Sequence, residues 1–437
     1  MTDVQGADQG PAPAPAARGR VGEVFVAFLR LGVTAFGGPI AHLGYFRADL
    51  VQRRGWLADR DYGDLVALAQ FLPGPASSQV GFGIGLLRAG WGGALAAFLA
   101  FTMPSALVML AVAAGAPLLG GPSGAAPAVS GAVEGLMIAA VAVVAQAVLG
   151  MARTLAPDPR RAGIAAVALL IALAPAVAGS ALGAAVAPAA QFAPLVAIAV
   201  GSVAGLALCR AVATPAADAA GQGAAAGVHF PVSRRVGVAA LGLLVVILVG
   251  SPMLASATGD GGVALFDAIF RAGALVFGGG HVVLPLLQSG VVDPGWVTPE
   301  QFLAGYGAAQ ALPGPLFAFA AYLGALSTAG PGGAAGAAIA LVAIFLPGFL
   351  ILVGVLPFWN ALRRRVWARA LVAGAGAAVV GVLAAALYDP VFVTAVTGPA
   401  TFGLAAVCFV LLAAMRVPPW AVVVVGAVGG VLIAVLR

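Results

Sequence analysis

The chain has 437 residues, of which 62% are hydrophobic and only 8% charged, with a net charge of +6 and a mean hydropathy of +1.08. So little polar side chain cannot cover a soluble body of this length, which excludes a soluble enzyme and puts the chain in lipid. The basic balance is all Arg without a single Lys, and these Arg lie in short loops between apolar runs, where they read as orientation signals rather than nucleic-acid contacts.

Residues 1–20 are polar and rich in Pro and Ala, including Pro11-Ala-Pro-Ala-Pro15, and are expected to form a disordered cytoplasmic tail. A secretory signal would run from a basic start straight into an apolar core, and that order is missing. Two interrupted segments follow. The first, residues 21–36, stops at Gly37-Gly38-Pro39 and restarts towards Leu50; the second, residues 62–72, stops at Pro73-Gly74-Pro75 and restarts towards Arg88. Legs of about 11 to 16 residues reach roughly 17 to 24 Å, short of the roughly 30 Å hydrocarbon core. Helical hairpins that enter and return, and broken helices, both satisfy these lengths.

Apolar runs at residues 94–117, 128–151 and 166–182 then reach spanning length. With the interrupted segments they make up an N-terminal unit over residues 21–210. A linker rich in Ala, Gly and Asp occupies residues 211–235, and one spanning helix is expected at 236–253. A C-terminal unit runs over residues 262–437, with another long run at 334–356. The alternation of a membrane barrel is absent. The expected fold class is an all-α polytopic membrane protein.

The two units are related. Phe25-Val-Ala-Phe-Leu-Arg-Leu-Gly-Val-Thr-Ala-Phe-Gly-Gly38 aligns without a gap with Phe266-Asp-Ala-Ile-Phe-Arg-Ala-Gly-Ala-Leu-Val-Phe-Gly-Gly279. Gly55-Trp56 then matches Gly295-Trp296, Gln70-Phe-Leu-Pro-Gly-Pro75 matches Gln310-Ala-Leu-Pro-Gly-Pro315, and Ala89-Gly-Trp-Gly-Gly93 matches Ala329-Gly-Pro-Gly-Gly333. Four motifs in one order indicate duplication. If the N-terminal tail is cytoplasmic and the interrupted segments return, Arg47, Arg53, Arg54, Arg60 and Arg88 fall on the cytoplasmic side, and so do Arg153, Arg160, Arg161, Arg210, Arg234 and Arg235. The count is about nine full spans plus four hairpins. The single helix between the units makes the parity odd, so the repeats are expected to have inverted topology, with the C-terminus outside.

Breaks in inverted repeats are where secondary transporters bind substrate, because freed backbone groups line the site. A helix starting after Gly-Gly-Pro or Pro-Gly-Pro offers unpaired N–H groups and a positive dipole end to an anion. The candidate substrate residues are therefore Gly37, Gly38, Pro39, Pro73, Gly74 and Pro75, with Gly278, Gly279, Pro313, Gly314 and Pro315 in the second unit. Gln70, Gln310, Ser77 and Ser78 lie beside the breaks as hydrogen-bonding groups. Arg30 and Arg271 sit in short apolar legs, where an ionised group needs a partner, water or an anion, and Asp64 or Asp267 could supply the partner. His42, His281 and Glu134 are candidates for proton coupling. The competing reading is that Gly and Pro only kink and pack the helices. Cys209 and Cys408 stand alone, so neither a metal nor a disulfide framework is expected, and no cofactor motif is evident.

The set of Phe36-Gly-Gly-Pro39, the stretch from Tyr45 to Leu57, Gln70-Phe-Leu-Pro-Gly-Pro-Ala-Ser-Ser-Gln79, Phe277-Gly-Gly-Gly-His281 and Gln310-Ala-Leu-Pro-Gly-Pro315 resembles the chromate ion transporter family in its long, two-unit form. The resemblance covers about residues 20–436. It implies export of chromate across a bacterial inner membrane and chromate resistance, with sulfate as competitor or counter-substrate and energy from the membrane potential or proton gradient. Its partners would be these oxyanions and the lipid bilayer, with a homodimer left open. Two features depart from the family: a Lys is often found near the position of Met137, and the acidic residue soon after Trp-Leu is represented only by Asp59. The residues alone leave open a carrier of sulfate, molybdate or another oxyanion, an anion channel, and a non-transporting scaffold.

Overall fold

The structure, a computed structural model, describes residues 19–115, 127–182, 193–210, 230–276, 283–362 and 365–436. Among them there is no strand, and six helices are long and apolar enough to cross a membrane. The chain is an all-α polytopic membrane protein.

Helix α1 (Val21–Thr34) gives way to extended backbone at Ala35 and a left-handed Gly37 at φ +101°. Only Gly takes such an angle without strain. Helix α2 (Gly38–Phe46) starts with Pro39 in its first turn and winds into a π-helical turn over Arg47–Arg53. Helix α3 (Asp59–Phe71) ends at Leu72, which is extended as the residue before a proline must be. Helix α4 (Ala76–Gly115) resumes after the second break and bends at Ala89 and Gly90, so it is two arms. Helices α5 (Pro127–Leu155), α6 (Pro159–Leu182) and α7 (Ala193–Leu208) complete the first half.

After α8 (Arg234–Thr258) the same order returns. Helix α9 (Gly261–Ala274) corresponds to α1, and α10 (Val283–Leu287) with its π turn at Gln288–Val292 corresponds to α2 with its own. Helix α11 (Pro299–Gln310) corresponds to α3. A 3₁₀ turn at Leu316–Ala318 with α12 (Phe319–Leu326), and then α13 (Gly333–Val355), stand for the two arms of α4. Helices α14 (Val366–Ala386), α15 (Pro399–Ala413) and α16 (Pro419–Leu436) close the chain. A π turn at the same place in both halves is conspicuous because such turns are rare and gather at functional sites.

The halves do not pack side by side. Helix α5 of the first half lies against α15 and α16 of the second, and α14 of the second lies against α6 and α7 of the first. Small residues allow this exchange. Gly131 and Gly135 of α5 abut Gly430 and Gly426 of α16, so that a methyl group added at Gly135 would strike the Gly426 carbonyl. The second seam mirrors the first: Gly374 of α14 abuts Gly201 and Gly205 of α7, and a methyl at Gly374 would strike the Gly201 carbonyl. Small residues four apart let helix backbones approach in a lipid environment, where hydrophobic burial gives no preference between a helix and a lipid tail. The reciprocal pattern has the logic of a two-fold pseudo-symmetry, and α8 stands outside it.

Candidate functional site

The breaks pair across the two halves. The Gly74 N–H donates to the Val276 carbonyl at 2.7 Å, and the Gly314 N–H donates to the Ala35 carbonyl at 2.9 Å. Ala35 and Val276 are matched residues of the repeat, each immediately before a Phe-Gly-Gly motif. Each Pro-Gly-Pro of one half therefore binds the residue that precedes the Phe-Gly-Gly motif of the other. Gly74 (φ +120°) and Gly314 (φ +90°) are left-handed, which turns their N–H groups across the boundary between the halves.

Two helices buttress this node from behind. Gln79 Nε2 donates to the carbonyls of Pro73 and Gly348, both at 2.9 Å, and ties the first Pro-Gly-Pro to α13. The Ser105 hydroxyl of α4 donates to the Pro313 carbonyl and ties down the second. Ser105 follows Pro104, and Gly348 follows Pro347; both prolines lie within their helices. A proline there frees the carbonyl one turn earlier and bends the helix.

The first helical turns beyond the breaks have no upstream carbonyl to bond, which leaves N–H groups of α2 and α4 as donors. His42, Ser77 and Ser78 are buried around them, with His42 Nδ1 3.4 Å from Ser77 Oγ. His42 Nε2, Ser78 Oγ, Thr102 Oγ1 and Gln310 Nε2 are buried without a hydrogen-bond partner. Such orphans are costly in a packed interior. At the first Gly-Gly break Gly37 is exposed, Pro39 is half-buried, and a Cβ at Gly38 would meet nothing within 4 Å.

Not every residue singled out in the sequence converges here. Gln70 is exposed on α3, and Arg30 is exposed on α1 on the outward face that carries Val26, Leu29 and Val33. Arg271 is paired with Asp267 on α9, one turn away. Glu134 is half-buried within the glycine seam between α5 and α16, between Gly131 and Gly135. Gly278, Gly279 and His281 lie outside the described residues, as do residues 1–18 of the N-terminal tail and 211–229 of the linker. Gln79, Thr102 and Ser105 were missed by sequence reasoning. The signal that would have found Ser105 is a fifth matched motif, Pro104-Ser105 against Pro347-Gly348, reached by extending the repeat three residues out of register.

The Arg clusters at the helix ends are largely paired. Arg53 and Arg54 both meet Asp49, Arg47 meets Asp59, and Arg88 meets Glu23. Arg54 and Arg88 also flank the ring of Trp56 at 5.4 and 5.3 Å, a cation–π arrangement that fixes the connection between α2 and α3. At the turn before α6, Asp158 accepts from the N–H groups of Arg160 and Arg161 and from the Arg161 side chain. Those hydrogen bonds hold its carboxyl below the ordinary carboxylate value.

No solved structure matches the chain. Among curated proteins it is 30% identical over 361 residues to a probable chromate transport protein of Synechococcus elongatus, covering 82% of each chain. It is 29% identical over 384 residues to a chromate transport protein of Pseudomonas aeruginosa, covering 85% of this chain and 82% of that one. A chromate transport protein of Cupriavidus metallidurans is 28% identical over 364 residues, with 82% and 80% covered. The family model described as Chromate transporter matches twice, over residues 22–206 and 263–431, and the chain belongs to that family.

Proposed function

We propose that this protein is a secondary carrier that exports chromate across a bacterial inner membrane, with the site at the node of four helix breaks and the two halves in inverted orientation. The observation that supports it most is the reciprocal pair of hydrogen bonds, Gly74 to Val276 and Gly314 to Ala35. They tie the helix starts of α2 and α4 and the 3₁₀ turn after Pro315 across the boundary between the halves, and His42, Ser78, Thr102 and Gln310 carry buried polar atoms without partners. A tetrahedral dianion that sheds water needs donors from several directions, and helix starts supply N–H groups together with a favourable dipole. The matched names of the relatives point to chromate. The backbone donors recognise charge and shape, so sulfate is the expected competitor.

The membrane potential alone drives such export. Moving one charge against 100 mV is worth about 2.3 kcal/mol, so a dianion leaving a negative interior gains about 4.6 kcal/mol, or more than a thousandfold in concentration ratio. In proteoliposomes, labelled chromate uptake should be stimulated by unlabelled chromate or sulfate trapped inside. Conductance without exchange stimulation would replace the carrier with a channel, and no flux of either kind would leave a scaffold.

A further inference from the structure

One feature of the second half has no equivalent in the first. Helix α8, the helix outside the repeat, lies against α9 and α13 and covers a cavity of about 440 Å³ between itself, α9 and the π turn after α10. Asp267 and Arg271 line this cavity and are its only charged residues among those described; Ser256, Ser289 and Trp296 are among the others. The Asp267 side chain is only 5% exposed. It accepts from the Ser251 hydroxyl of α8 at 2.6 Å and from Arg271 Nη2. Arg271 spends one nitrogen on this pair, while its Nε is buried without a partner.

The fold itself does not require the ion pair. At the matched positions of α1 stand Val26 and Arg30, both exposed, and that helix forms without it. A buried carboxylate is costly to keep and is tolerated when it has work to do. Arg271 stands in the last turn of α9, three residues before its end at Ala274, and Val276 follows two residues later. Val276 carries the carbonyl that anchors the central node.

We propose that this cavity is a second oxyanion station beside the central one, with Arg271 as its cation and Asp267 as a tethered competitor that holds the guanidinium when the station is empty. The proposal rests on the oxyanion-carrier reading above. An arriving sulfate or chromate dianion offers Arg271 two planar-matched oxygens and twice the charge of the carboxylate it displaces. Ser251 keeps Asp267 in place while the guanidinium is lent out, and the unpartnered Nε is the second donor that a bidentate contact uses. Helix α8 thereby partly covers one of two Arg positions that duplication made equivalent, and leaves the other, Arg30, exposed.

Sulfate counterflow in proteoliposomes tests this, with KM and maximal rate measured separately. Asp267→Asn removes the competitor and should lower the KM for sulfate by about tenfold, the scale of one charged hydrogen bond. Arg271→Gln should raise it by a similar factor, and the double variant should resemble Arg271→Gln. A structural ion pair predicts the opposite for Asp267→Asn, a KM unchanged or raised, and that result overturns the proposal. If Asp267→Asn does not yield folded protein, Ser251→Ala removes the bond that holds Asp267 while the guanidinium is away and should raise KM about threefold; an unchanged or lowered KM there overturns the proposal equally. Absence of counterflow in the unaltered protein defeats the carrier reading and this station together, whereas normal counterflow with unmoved KM values defeats the station alone.

Discussion

Replacing Gly74 with Ala tests whether the node of breaks is the working part of the molecule. Gly74 sits at φ +120°, and an added Cβ would lie 2.8 Å from Gln79 Nε2 and 2.9 Å from the Gly348 Cα. Backbone in that region costs a non-glycine residue about 1–3 kcal/mol, and overpacking against backbone costs about 1–3 kcal/mol more. The sum of about 2–6 kcal/mol exceeds the net worth of the Gly74–Val276 hydrogen bond, about 0.5–1.5 kcal/mol, so the bond should break before the helices part. Gly55→Ala is the matched control: Gly55 also has positive φ, at +59°, but a Cβ there meets nothing within 4 Å. Both variants should insert and run as monodisperse protein in detergent. Gly74→Ala should lose chromate counterflow by at least about tenfold, while Gly55→Ala, carrying only the αL cost of about 1–2 kcal/mol, should stay within about twofold of the parent. Normal counterflow in Gly74→Ala would refute the assignment of the site to the breaks.

Other outcomes follow from the same geometry. A cysteine in place of Arg53, whose side chain is 49% exposed, should be labelled by impermeant thiol reagents only from the cytoplasmic side, and labelling in intact cells would reverse the proposed orientation. Gly135→Leu should lower the melting temperature and disperse the gel-filtration peak, because its side chain would meet the Gly426 backbone at an overpacking cost of about 1–3 kcal/mol or more; Gly150→Leu, with nothing within 4 Å, should do neither. Asp158→Ala removes the acceptor at the start of α6 and should cost about 1 kcal/mol at neutral pH. Because hydrogen bonding depresses the Asp158 carboxyl below 3.8, this stabilisation is present above the unfolded value and lost as pH falls through the lower folded one. The melting difference between parent and variant should therefore close below about pH 3.8.

The breaks were legible because Gly and Pro restrict backbone locally: Gly37, Pro39, Gly74 and Pro75 end and start helices without help from anything distant. Their repetition in the second half was legible for the same reason, down to Gly314. What the breaks do to each other was not. The Gly74–Val276 and Gly314–Ala35 bonds join backbone atoms about two hundred or more residues apart, and a backbone hydrogen bond leaves no side-chain signature in either strand of sequence. The exchange of α5 and α14 between halves was hidden in plain spacing, since Gly131-Ala-Val-Glu-Gly135 and Gly426-Ala-Val-Gly-Gly430 are each unremarkable in a chain with 62 Gly. Glu134 carries the visible chemistry of that stretch, while the two glycines beside it carry the contact. Arg30 and Arg271 looked equivalent because they align; their surroundings differ through α8, a helix that belongs to neither repeat.

That exchange also restricts how the proposed carrier can move. Because α5 is held in the second half and α14 in the first, the halves cannot rock against each other without tearing both glycine seams. The remaining division is between a core that carries the breaks, α1–α4 with α8–α13, and a frame made of α5–α7 and α14–α16. Core and frame touch where Gly307 of α11 faces α5, and a Cβ built on Gly307 lies 3.2 Å from the Leu136 Cβ. That is near the span of about 3.5–4.5 Å which a disulfide bridges. Oxidising Leu136→Cys with Gly307→Cys should arrest counterflow by at least about tenfold, with recovery on reduction. Within the frame, a Cβ on Gly426 lies 2.8 Å from the Ala139 Cβ, and oxidising Ala139→Cys with Gly426→Cys should leave flux within about twofold, since frame helices move together. If the frame bond stops transport and the core-to-frame bond does not, the moving boundary runs through the glycine seams and the division proposed here is wrong.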